Sequence, residues 1–200
     1  MKALRVGLTG GIAAGKSTVA RWLQEAGFQV VDADSLVAEL YRPAGAGAEI
    51  VERLLGRSCL QVDGGVDHRQ VAERVFSDPR ARHELESAIH PLVREGFAAV
   101  AKDTSGVVIL EATLLAEAGF ATDFDFVVTV EADTDLRVQR AVARGLDEAA
   151  VRDRLAAQSD PATRMAAADQ VLWNNGTLDD LRRQVELLIE ELKGRSPNVS

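Results

Sequence analysis

Apolar residues gather in five short, nearly continuous runs: 4–9, 28–31 (Phe28-Gln29-Val30-Val31), 107–110 (Val107-Val108-Ile109-Leu110), 126–130 (Phe126-Val127-Val128-Thr129-Val130) and 170–173. Runs of this length, separated by segments of helical period, describe strands covered on both faces, which is how a parallel sheet is buried. The pattern predicts an α/β fold, doubly wound, with a five-stranded parallel sheet in the middle of three layers. After the last run the period lengthens to that of a helix. Leu178, Leu181, Val185, Leu188, Ile189 and Leu192 fall on one face, Thr177 stands at the N-cap, and Gly194 followed by Pro197 is expected to close the helix.

The second and third runs lie about 75 residues apart, far more than one crossover helix needs. The intervening chain reads as helices at 33–42, 46–55, 69–77 and 80–103, with a turn at Asp63-Gly64-Gly65. This divides the chain into a core of 1–32, 104–132 and 161–200, a helical subdomain at 33–103 suited to walling a second substrate, and a further segment at 133–160.

Where the first run ends, the polar pattern carries chemistry. Gly10-Gly11-Ile12-Ala13-Ala14-Gly15-Lys16-Ser17-Thr18 fits G-x-x-x-x-G-K-[ST], the P-loop, between an apolar strand and an amphipathic helix. Glycines let successive N–H groups turn inward around phosphate oxygens, Lys16 reaches the β- and γ-phosphates, and Ser17 ligates Mg²⁺. Ala13 and Ala14 are expected to offer their N–H groups without a positive φ. The doubly wound pattern thereby becomes a P-loop NTPase fold that binds a nucleoside triphosphate.

Composition changes this picture little. A net charge of −8 argues against a nucleic-acid binder, whose affinity needs a broad basic surface. The lone Cys59 cannot form an internal disulfide, and neither a leader pattern nor a membrane-length apolar run occurs, so a cytoplasmic protein without a membrane partner is expected. Oligomeric state leaves no mark in the pattern. His68, His83, His90 and Cys59 are too scattered for a zinc site.

Two further groups of residues are candidates. Asp32-Ala33-Asp34 follows the second run, where a carboxylate can orient an attacking hydroxyl; one of the pair is expected to cap the next helix and Asp34 to do the chemistry. Between 137 and 164 lie Arg137, Arg140, Arg144, Arg152, Arg154 and Arg164, most of them read as solvated members of i,i+4 ion pairs. Arg140 and Arg144 share a face after a core strand, where a lid at 133–160 would carry them to the phosphates. A guanine-binding N-K-x-D is missing from the sequence, and Asp103-Thr104-Ser105-Gly106 reads as a turn before the third strand.

The order of motifs along nearly the whole chain resembles the dephospho-coenzyme A kinase family: Leu8 to Thr18, Val31-Asp32-Ala33-Asp34, Asp63-Gly64 with Arg69 and Val75-Phe76, Ile89-His90-Pro91 with Arg94, Leu114-Leu115-Ala116-Glu117, Gln139-Arg140 with Arg144, Arg154 with Gln158, Ala168-Asp169, and Asn174 with Gly176. The resemblance implies ATP and Mg²⁺, with γ-phosphoryl transfer to the ribose 3′-hydroxyl of dephospho-coenzyme A. Lys16, Ser17 and Arg140 would manage charge and Asp34 the hydroxyl. Gly11 to Thr18, Arg144, Asn174, Asn175 and Gly176 would hold the nucleotide, and Thr9, Asp34, His90, Arg94 and Leu115 the acceptor. Glu111 stands where the family usually has Asp, so a role at the metal through water is expected. Trp173 also stands where Asp is usual; it would pack beside the adenine or fill the core, and an apolar residue at a strand end is more often core. His90-Pro91 reads as a helix end. The other readings compatible with the P-loop are a shikimate- or gluconate-type kinase and a nucleotide-dependent binding switch.

Overall fold

A computed structural model describes residues 2–113, 123–158 and 160–196. The five apolar runs are strands β1 (Leu4–Gly10), β2 (Gln29–Asp32), β3 (Val107–Glu111), β4 (Phe126–Glu131) and β5 (Gln170–Trp173), ordered β2-β3-β1-β4-β5 in one sheet. β1 pairs in parallel with β3 (Leu8 opposite Glu111) and with β4 (Gly10 opposite Val130), and β4 pairs in parallel with β5. The chain leaves the carboxyl end of β1 between two neighbours, the crevice in which α/β sheets bind ligands.

Nearly every residue of β3 and β4 is buried, as continuous apolar runs require, whereas β2 at the sheet edge is only half-buried. Helices α1 (Lys16–Glu25) and α9 (Leu178–Arg195) pack on each other and share the sheet's main core, in which Val19 and Leu23 meet Leu181, Val185, Leu188 and Leu192 around Val6, Leu8, Ile109, Val128 and Leu172. The start of α9 is fixed by a capping box in which Thr177 Oγ1 accepts from Asp180 N–H and the Asp180 carboxylate accepts from Thr177 N–H. Gly194 does not end this helix as expected. The helix runs on through Arg195, whose guanidinium bonds Glu191 one turn back at 2.8 Å and stacks on the Phe126 ring, and Pro197 lies outside the described residues. Leu178 of the expected apolar face, at the first position of α9, is exposed, while Leu181 three residues on is buried.

The chain divides into two compact units, 1–31 with 101–200 and 32–100. Within the second, α2 (Ala33–Leu40), α3 (Ala46–Leu55), α4 (His68–Ser77) and the long α5 (Pro79–Asp103) supply a core of Val51, Leu55, Cys59, Val66, Val71, Leu85, Ile89 and Val93. His90-Pro91 is no helix end: α5 continues through Pro91, forgoing the bond that position would give the carbonyl of Ser87, because Ile89 and Val93 on either side anchor it in the core. Asp63-Gly64-Gly65 forms the expected turn, with Asp63 Oδ1 accepting from Gly65 N–H at 2.9 Å. In the first unit, α6 (Thr134–Ala143), α7 (Glu148–Ala157) and α8 (Pro161–Ala166) follow β4.

Candidate active site

The P-loop joins β1 to α1. Gly15 caps α1 at φ 114°, a conformation suited to glycine, and the amides of Lys16 and Ser17 open the helix with no acceptor one turn back. Ala13 departs from the expectation: its φ is 58°, left-handed for a residue with a Cβ, at a cost of about 1 kcal/mol. The turn closed by Ala14 N–H on Gly11 O at 3.1 Å imposes it. A curl of alternating hand of this kind turns N–H groups to one side and makes an anion nest.

Beside the loop, one oxygen of Glu111 at the end of β3 accepts from Lys16 Nζ at 2.7 Å and Ser17 Oγ at 3.0 Å. The register that sets Leu8 against Glu111 brings them together, and both ends of the Lys16–Glu111 pair are largely buried. A lysine, a hydroxyl and a carboxylate converging at a helix N-terminus give a cation for phosphates and two hard oxygen donors for Mg²⁺. Thr9 is fully buried, its hydroxyl donating to Thr113 O at 3.2 Å. Leu115 lies outside the described residues.

The arginines after β4 do not form the solvated array expected of most of them. Arg137 and Arg164 are buried; Arg152 pairs on the surface with Glu148, and Arg144 is exposed at the end of α6. Arg164 of α8 makes two bonds to Glu131, 2.8 and 2.9 Å, while Thr129 donates to Glu131 at 2.8 Å. Arg137 donates to Ile12 O at 2.8 Å and to Gln158 Oε1 at 2.9 Å. Burial, with Arg164 nearby, lowers the pKa of Arg137. Val138 and Ala141 of α6, Val151 of α7 and Ala13 of the P-loop form a small cluster. Arg140 is half-buried, with its guanidinium on Asn174 O at 2.8 Å, so it is held in packed structure where few packed contacts would be expected of an open lid.

The Glu131–Arg164 pair supports the strongest stability prediction. Glu131→Gln leaves a guanidinium that is 1% exposed without its counter-charge, so urea unfolding should show a loss of about 3 kcal/mol, the usual effect of halving a buried pair. A loss below about 1 kcal/mol would mean that the pair is replaceable at no net cost.

Asn174, Asn175 and Gly176 follow β5. Asn174 is buried and donates to Ala14 O at 2.8 Å, so its side chain braces the P-loop directly. Asn175 is exposed and exchanges two hydrogen bonds with Asp133 at 2.8 and 2.9 Å. Trp173 is not core: at the end of β5 it is 46% exposed, while its backbone exchanges bonds with the Gln184 side chain.

In the second unit, Asp32 takes the capping role, its Oδ1 accepting from Asp34 N–H at 3.1 Å and its Oδ2 from Ser35 Oγ at 3.1 Å. Asp34 is exposed in the first turn of α2. His90 and Arg94 lie one turn apart on α5, and burial lowers the pKa of His90, against a raising influence of Glu86.

Arg137 and Gln158 were not singled out for the site by the residue pattern. A buried Arg137 was masked by the charged residues around it, and Gln158 stood in the motif order with Arg154 but without a role, because its bond to the Ile12 N–H spans 146 positions.

A parallel sheet with a P-loop at its central strand, a lysine and hydroxyl at the helix start and a carboxylate on the adjoining strand defines a P-loop kinase. The family model described as CoaE, dephospho-CoA kinase, matches residues 4–180, and the chain belongs to that family. It is 38% identical to a dephospho-CoA kinase of Syntrophotalea carbinolica over 98% of both chains, and 41% identical to one of Streptomyces avermitilis over 91% of this chain and 90% of that. A Thermus thermophilus crystal structure superposes with TM-score 0.83 at 34% identity, covering 96% of this chain and 99% of the other.

Proposed function

We propose that this protein transfers the γ-phosphoryl group of ATP to the ribose 3′-hydroxyl of dephospho-coenzyme A, giving coenzyme A and ADP. The observation that carries this reading is the convergence of Lys16, Ser17 and Glu111 at the P-loop of a chain in this family. Phosphoryl transfer asks a protein mainly for alignment and for stabilisation of charge. The loop from Gly11 to Thr18 surrounds the phosphates, its open amides at Ala13, Lys16 and Ser17 donating to them, and Lys16 leaves Glu111 to neutralise charge on the transferred group. Arg140 and Arg144 add cations from α6, and Asn174, Asn175 and Gly176 bound the adenine side. Asp34 takes the proton of the acceptor hydroxyl, while Thr9, His90, Arg94 and Leu115 serve the acceptor.

Ser17 and Glu111 fit Mg²⁺, being hard oxygens 3.0 Å apart. Among the described residues no group of three His, Cys, Asp or Glu could hold a metal, which suits an ion bound largely through nucleotide phosphates and water. When bound, the ion neutralises phosphate charge. Among the described residues no helix is long and apolar enough to cross a membrane, and we place the enzyme in the cytoplasm, with its ATP supply.

Incubation with Mg·ATP and a panel of alcohols tests the reading. Stoichiometric ADP and coenzyme A from dephospho-coenzyme A alone is the expected result. Phosphorylation of shikimate or gluconate instead would move the protein to another kinase class, and ATP binding without transfer to any acceptor would make it a switch.

A further inference from the structure

We propose that Arg137, braced by Gln158, is a positioning residue that aims the Ala13 N–H at the phosphates of the bound nucleotide. The inference rests on the reading of the P-loop as a nucleotide site. In a trans peptide the carbonyl oxygen and the N–H of one planar unit point to opposite sides, and the described chain has no cis bond. Arg137 Nε holds Ile12 O at 2.8 Å, so the Ala13 N–H in the same unit is directed away from Arg137. The preceding unit is held as well, because Ile12 N–H donates to Gln158 Oε1 at 3.1 Å. That oxygen also accepts from Arg137 at 2.9 Å, so the two side chains that grip successive peptide units also grip each other.

The neighbouring amides are already committed. Ile12 N–H goes to Gln158 and Ala14 N–H closes the turn on Gly11 O at 3.1 Å. Among the bonds of the described residues, none takes the Ala13 N–H. Like the amides of Lys16 and Ser17 further on, it is a donor left for a ligand, held by the left-handed φ of 58° at Ala13.

Charge reinforces geometry. Arg137 is 3% exposed and its bonded partners, Ile12 O and Gln158 Oε1, are both neutral, while Glu131 nearby is engaged by Arg164 through two bonds. A guanidinium on the carbonyl polarises the peptide and strengthens its N–H as a donor. Gly11 makes the seat possible, for a Cβ there would run into the Arg137 guanidinium.

Arg137→Lys keeps the charge but loses the fork that bridges Ile12 O and Gln158, and Gln158→Leu removes the brace at similar size. Calorimetry should show the Kd for Mg·ADP rising about 10-fold in each, as loss of a charge-assisted donor predicts, with dephospho-coenzyme A affinity unchanged. In wild type the ¹H resonance of the Ala13 amide should move downfield on adding Mg·ADP, and in the variants this shift should shrink; a purely structural arginine would leave the shift intact. If Arg137→Lys does not fold, half-buried Gln158→Leu decides alone. Wild-type Mg·ADP affinity in a folded Gln158→Leu variant, or an Ala13 amide in wild type that ignores Mg·ADP, overturns the proposal. Wild-type protein that binds Mg·ADP with the Ala13 shift yet makes no coenzyme A would sink the proposed activity and leave this inference standing.

Discussion

Lys16→Ala is expected to lower phosphoryl transfer at least about 10³-fold, the loss that follows removal of a preorganised charge in a shielded site, while the protein stays folded. Lys16 Nζ sits 2.7 Å from Glu111 in a largely buried pair, poised at the start of α1. Removing the ammonium takes away the only charged side chain within the loop itself, and no backbone dipole replaces it. The fold should survive, since alanine favours the helix that Lys16 begins and Glu111 keeps the Ser17 hydroxyl at 3.0 Å. Steady-state rates alongside thermal unfolding check both halves. A folded variant with near-normal turnover would remove the P-loop from the reaction.

Asp34→Asn should lower kcat by about 10²–10⁴-fold, the range for a positioned acid or base, and leave ATP affinity almost unchanged. The structure separates it from its neighbour: Asp32 spends both oxygens on the cap of α2, and Asp34 stands exposed in the first turn. Asparagine remains a good N-cap, so Asp32→Asn should keep both fold and turnover. Collapse of kcat in Asp32→Asn with near-normal Asp34→Asn would exchange the two roles. Loss of ATP binding in Asp34→Asn would mean that it serves the nucleotide instead.

The inner strands were legible because each buries both faces, which leaves a short apolar run bounded by helical period, as at Val107–Glu111 and Phe126–Glu131. The helical insert was legible for the same reason, since Val51, Leu55, Ile89 and Val93 repeat at helix spacing. Punctuation was less reliable. Gly194 and Pro91 both sit inside helices, because ring, pair and core contacts from α9 and α5 outweigh a local preference of at most about 3 kcal/mol.

The row of residues alone therefore carries a P-loop whose ligands come from one turn of chain, the strands and helices that flank it, and the order of motifs that marks the family. Which charges are buried, and what each one holds, follows from the folded arrangement alone. Arg137, Arg140, Arg144 and Arg164 look alike in a row of letters. One holds the Ile12 carbonyl, one the Asn174 carbonyl, one lies exposed, and one is locked to Glu131 across 33 positions. The physical reason is that a charge is cheap in water and costly in a core, so its role depends on partners that folding brings from distant parts of the chain.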